Sequence, residues 1–144
     1  MRMMVAASVA LGIAIACAAC GESGTGSGLT PVVPGLKTET FTGTVLQGGS
    51  SVNTFVAAGV GEVDITLTAA GPPATIVMGL GIGQPATTGG NTCVLFTSSV
   101  IQTAAGTSPQ ISGTAPAAGT YCVQVFDVGN QTGPVNYTLT VSHL

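Results

Sequence analysis

Charge is almost missing from this chain. Only 5% of its 144 residues are charged, with Arg2 and Lys37 set against five acids; a typical domain carries about a quarter. Two cations cannot neutralise a row of phosphates, so nucleic-acid binding is excluded. Steering of anionic substrates is excluded on the same ground. Tryptophan is absent, and the two tyrosines, Tyr121 and Tyr137, fall at core positions, so no aromatic platform for sugar rings is expected. The single histidine, His143, is next to the C-terminus. Catalysis by a serine or cysteine nucleophile needs a histidine held in place, and terminal residues tend to be poorly ordered. No catalytic residue is therefore expected. Nowhere does an apolar period of 3.6 residues persist, which argues against a helical domain.

What is present is apolar alternation. Hydrophobic residues make up 45% of the chain, so low charge does not mean disorder. In Glu62–Thr68, Val63, Ile65 and Leu67 share one face. In Asn136–Ser142, Tyr137, Leu139 and Val141 point inward between threonines. Thr120–Phe126 puts Tyr121, Val123 and Val125 on one side and Cys122, Gln124 and Phe126 on the other. Ile76–Gly83 alternates Ile76, Met78, Leu80 and Ile82 with Val77, Gly79, Gly81 and Gly83. Period-two patterns of this kind are strands. Weaker ones are Thr40–Leu46, Val52–Ala58, Cys93–Ser99 and Gln110–Ala115. Gly, Pro and Asn separate them, and strands recurring at about 8–12 residues pack as a sandwich or barrel. The expected fold is all-β, an antiparallel, jelly-roll-like sandwich of about eight strands. Thr and Ser cover its outer faces in place of charge. The glycines at 79, 81 and 83 mark a face where something packs closely or the strand bends. No lysine or helix follows them, so they are not a phosphate loop.

The N-terminus has the parts of an export signal: Arg2, an apolar run over Val5–Ala16, then the small residues Ala18 and Ala19. The run is shorter than the roughly 20 residues that span a membrane. Cys20 follows, and then a tether, Gly21-Glu22-Ser23-Gly24-Thr25-Gly26-Ser27-Gly28. These residues resemble a bacterial lipoprotein signal, which implies cleavage before Cys20 and lipidation of its thiol. Cys17 stands where such signals usually have Leu. The cysteine count favours Cys20: Cys17 leaves with the signal, and Cys93 and Cys122 remain as a pair with no thiol left over. Gly21 after the anchor, in place of Asp, implies the outer membrane of the cell envelope. The expected layout is a signal over 1–19, a lipidated cysteine and tether over 20–37, and a sandwich over 38–144.

An exported pair of cysteines at 93 and 122 is expected to form a disulfide. Closing a loop of about 29 residues stabilises the fold by about 3.5 kcal/mol in the chain-entropy account. Two cysteines without a neighbouring histidine make no zinc cage. Glu62 and Asp64 share a strand face and Asp127 ends another strand, too few oxygens for calcium, so no metal or cofactor is expected. Asn130-Gln131-Thr132 and Asn136-Tyr137-Thr138 match the glycosylation pattern but are read as a turn and a strand.

Three segments, Phe41-Thr42-Gly43-Thr44-Val45, Gly119-Thr120-Tyr121-Cys122-Val123-Gln124-Val125-Phe126-Asp127 and Tyr137-Thr138-Leu139-Thr140-Val141, resemble the bacterial pre-peptidase C-terminal domain. The resemblance spans about residues 38–142. It implies a compact, non-catalytic β-sandwich of the kind appended to secreted peptidases, serving secretion, localisation or substrate binding. The 144 residues hold no peptidase domain, so the expected role is that of a stand-alone binding or accessory module. Its expected partners are the membrane, through the lipid, and a protein or polysaccharide ligand. The alternative is a structural or adhesive surface protein contacting carbohydrate or matrix. Thiol titration of the exported protein, unfolded without reductant, is expected to find Cys93 and Cys122 unreactive. Two titratable thiols at these positions would reject the bridge.

Overall fold

The computed structural model describes residues 35–88 and 91–144. The expected signal, Cys20 and the tether through residue 34 lie outside the described residues. The strands are β1 (Lys37–Val45), β2 (Ser50–Ala57), β3 (Gly61–Gly71), β4 (Val77–Pro85), β5 (Cys93–Ala104), β6 (Ile111–Ala115), β7 (Gly119–Phe126) and β8 (Val135–His143). They form two four-stranded sheets, sheet A in the order β1-β8-β3-β6 and sheet B in the order β2-β7-β4-β5. Every pairing is antiparallel.

This order follows from folding one long hairpin. β1 pairs with β8, β2 with β7, β3 with β6 and β4 with β5. Wrapping the ribbon then sets β8 beside β3 and β7 beside β4. The result is an eight-stranded jelly roll, the all-β antiparallel sandwich that was expected.

Alternation also decides what each face carries. Val63, Ile65, Leu67, Leu139 and Val141 of sheet A and Phe55, Met78, Leu80, Val123 and Val125 of sheet B are all buried and form the core. On the outer face of sheet A the register sets Thr38, Thr40, Thr42 and Thr44 opposite Ser142, Thr140, Thr138 and Asn136. Hydroxyls there replace charge as the solvated surface.

Three boundaries differ from the alternation by three residues or more, and one is β3, which runs on to Gly71 rather than ending at Thr68. β1 starts at Lys37 rather than Thr40. β5 continues past Ser99 to Ala104, because the register breaks. Gly81 pairs with Val100 while Gly83 pairs with Leu95, so Phe96–Ser99 bulge out opposite Ile82. A bulge bends a strand and re-aims its side chains, and its polar Thr97-Ser98-Ser99 reads in sequence as a strand end.

The glycines of β4 do mark close packing. A Cβ on Gly79 would strike the Phe126 ring, and one on Gly81 would stand 3.0 Å from Leu95. At Gly83 it would run into the Val94 carbonyl. Beside this approach a disulfide joins Cys93 of β5 to Cys122 of β7, with their Cα atoms 5.8 Å apart. These two strands flank β4, where Gly83 pairs with Cys122 and Pro85 with Cys93. Because the obstacle at Gly83 is backbone, Gly83→Ala is expected to cost about 1–3 kcal/mol, as overpacked sites do. Urea unfolding measures this, and a loss below about 0.5 kcal/mol, the scatter of inert sites, would contradict the packing described.

Candidate binding site

The residues that sequence offers for chemistry are engaged in holding the fold. His143 is not a loose terminal residue. It is the last residue of β8 and 1% exposed. Its Nε2 lies 3.0 Å from Glu39 Oε1, its Nδ1 lies 3.0 Å from the Leu144 carbonyl, and its ring centre is 4.9 Å from that of Phe55. The Ala58 N–H donates to the Leu144 carbonyl at 2.7 Å, which ties the chain end to β2. The expectation of disorder failed because the terminus is itself a strand with β1 and β3 on its two sides.

Glu39 is an inward-facing acid on the edge strand β1, a placement that discourages edge pairing. It accepts hydrogen bonds from Lys37 Nζ at 2.7 Å and from His143. The Lys37 ammonium first, and then the His143 ring, hold its carboxyl below the ordinary value against the opposing effect of burial.

Asp127 organises two turns. Its carboxylate accepts the Gly48 N–H at 2.7 Å and the N–H groups of Gly129, Asn130 and Gln131 at 2.8, 3.2 and 3.4 Å. The Gly48 bond leads in lowering its pKa. Gly48 and Gly129 have φ of 69° and 90°, the left-handed region that favours glycine. Glu62 and Asp64 stand on the outer face of β3, where Asp64 accepts a hydrogen bond from the Ser112 hydroxyl. Asp127 follows β7 in the other sheet, so the three acids do not converge. Among the described residues no three His, Cys, Asp or Glu side chains group as metal ligands.

The open feature of the domain lies where a side chain is missing. Three glycines of sheet A take inward register positions. Gly43 pairs with Tyr137, Gly61 with Ala115 and Gly113 with Val63. The space at Gly43 is filled by the Tyr137 ring, and that at Gly61 by Leu144. At Gly113 nothing stands within 4 Å of where a Cβ would be. A cavity of about 90 Å³ opens there, walled by Val63 and Ile111 from sheet A, by Ile82 and Tyr121 from sheet B, and by Phe96 of the β5 bulge.

The two sides of the sandwich differ accordingly. On the β1/β2 side the Tyr137 hydroxyl shares a 2.7 Å hydrogen bond with Ser51 and accepts one from Asn53 Nδ2 at 2.8 Å, closing the gap between the sheets. The edge of β3 beyond the five-residue β6 is covered by Gln110: its Oε1 accepts the Leu67 N–H at 2.7 Å. The Gly106 N–H donates to the Leu67 carbonyl at 2.9 Å. β6 itself is left open, with Ser112, Gly113 and Thr114 exposed. β5 exposes Val94, Phe96 and Val100. Sequence reading passed over Gly113. The signal was there: glycine occupies the inward slot between Ile111 and Ala115, where alternation calls for an apolar side chain.

No family model matches the sequence, and no curated protein matches it. Among solved structures, the chain is similar to the crystal structure of Aeromonas hydrophila PliG, a periplasmic lysozyme inhibitor of g-type lysozyme. The identity is 20%, the match covers 75% of this chain and 87% of that one, and the TM-score is 0.47.

The lowered carboxyls set the acid response. A carboxylate whose folded pKa lies below its unfolded value, about 4.3 for Glu, contributes stability above that value and loses it as pH falls through the folded one. Urea midpoints are expected to drop between pH 7 and pH 3, and to drop less in Glu39→Gln and in Asp127→Asn. An equal drop in wild type and both variants would contradict these assignments.

Proposed function

We propose that this chain is a non-enzymatic cell-envelope lipoprotein whose jelly roll acts as a binding module, held at the outer membrane through Cys20. The observation that carries the binding role is the single-residue gap at Gly113. It is an apolar socket on the unsealed side of the sandwich, whereas His143, Glu39, Asp127 and the cysteine pair are consumed in holding the fold. An apolar concavity with a few polar groups at its rim is the ordinary form of a recognition site.

A lipid anchor at Cys20 fits a domain with one cation among its described residues, since no basic patch is there to hold a membrane. Each buried methylene contributes about 0.8 kcal/mol, and one acyl chain alone anchors marginally. The several chains of a lipoprotein cysteine remove the need for other contacts.

Kinship with pre-peptidase C-terminal domains is part of this proposal. The three segments that carry the resemblance lie mainly in β1, β7 and β8, and two of these strands are paired. A second reading, surface adhesion to carbohydrate, draws on the row of four threonines on β1 and the hydroxyl-rich row of β8 opposite it on the outer face of sheet A. The burial of Tyr121 and Tyr137 in the core counts against it, because neither ring is free to stack on a sugar.

Labelling with a radioactive fatty acid is expected to mark the wild-type protein in the membrane fraction and not Cys20→Ser. In the same cells a photo-crosslinker at Thr114 is expected to give adducts that a crosslinker at Thr42 does not. Equal labelling of both proteins rejects the anchor. Adducts at Thr42 and none at Thr114 favour the adhesive reading over the socket.

A further inference from the structure

We infer that the Gly113 socket and the open edge of β6 bind an extended, basic peptide segment of a partner protein, which adds as a strand and seats one aliphatic side chain in the socket. The inference rests on the binding-module reading and names its ligand class.

Strand addition needs an edge. β6 pairs with β3 alone, and Ser112–Thr114 are exposed along it. Edge strands are ordinarily protected by lysine, by proline, or by a covering segment. Proline is absent from β6 itself, and Pro116 comes only after it. The one described cation, Lys37, is on β1 at the opposite edge of the sheet, bonded to Glu39. β5 across the gap exposes Val94, Phe96 and Val100. In β-augmentation the main chain supplies affinity, and pockets for alternate side chains supply specificity. The socket meets that requirement, because it opens at an inward-facing position of the edge strand itself. Its lining of Val63, Ile82, Ile111 and Tyr121 accepts an aliphatic side chain.

Charge selects the remaining residues of the ligand. Glu62 pairs with Thr114 and Asp64 with Ser112, so both carboxylates lie on the outer face one strand in from the open edge. Strands are about 4.8 Å apart, so the added strand lies about 10 Å from β3, a distance that a long arginine or lysine side chain and the acid span together. No cation on β3 or β6 offsets these acids. A second copy of this chain is a poor occupant. It brings acid to acid, and its own β6 offers glycine where a side chain must enter.

The test uses the full-length, 15N-labelled protein and a capped seven-residue peptide with arginine at odd positions, threonine at the second and sixth, and leucine at the fourth. Binding is expected to shift the amides of Ser112–Thr114 and to weaken with salt. Replacing the central leucine by glycine is expected to weaken binding by about tenfold or more, as loss of an anchor in its pocket does. That difference is expected to vanish in Gly113→Val, whose side chain takes up socket space at a position where a Cβ meets nothing within 4 Å. Glu62→Gln with Asp64→Asn is expected to weaken binding several-fold.

The proposal is overturned if leucine and glycine peptides bind wild type alike, which decides the matter even if Gly113→Val does not fold. It is also overturned if a peptide with glutamate in place of arginine binds as well, or if the edge is occupied by a second copy. Failure of every peptide, with fatty-acid labelling still dependent on Cys20, rejects this ligand class and leaves the envelope-module reading standing.

Discussion

Two sheets must bury their inner faces against each other, and a flat sandwich leaves four strand edges to manage. That constraint organises this domain. Burial carries little polar cost because, apart from His143 at the end of β8, the large inward side chains of the central strands β3, β8, β7 and β4 are Val, Ile, Leu, Met and Tyr. At about 25 cal/mol per Å² of apolar surface, this alternation is the dominant stabilising term. The polar groups that do enter the interior are paired. Tyr137 bonds Ser51 and Asn53, and His143 bonds Glu39.

The edges are treated unequally. On the β1/β2 side an inward glycine, Gly43, makes room for the Tyr137 ring, whose hydroxyl then reaches the opposite sheet. The same device without a filling side chain, at Gly113, leaves a hole. The β5 bulge enlarges the difference by carrying Phe96 to the rim of that hole. The fold thus has a sealed side and an open side, while exposed apolar side chains occur on both, Leu46 and Val56 at β1 and β2 and Val94, Phe96 and Val100 on β5.

Much of the architecture was legible in the sequence because period-two alternation is a direct record of sheet faces. Val63, Ile65 and Leu67, and Tyr137, Leu139 and Val141, fall where they were placed. The cysteine pair was legible from its count and from the export that the sequence led us to expect. The pairing order was not, since alternation says which way a residue faces but not beside which strand. The second half of β5 was hidden by Thr97-Ser98-Ser99, a polar bulge that imitates a strand end. His143 was misjudged because chain position says nothing of neighbours; β1 and β3 hold it on both sides. Gly113 was overlooked because a glycine's effect depends on what surrounds it, and only the assembled sandwich distinguishes it from Gly43.

The central claim is that the Gly113 site is a preformed apolar socket and not a collapsed or water-filled gap. Apolar cavities stay dry and take up xenon. Crystals pressurised with xenon test this directly. The account predicts xenon density among Val63, Ile82, Ile111 and Tyr121, beside the Cα of Gly113. Ordered water hydrogen-bonded in that space, or side chains closed over it with no xenon, would contradict it.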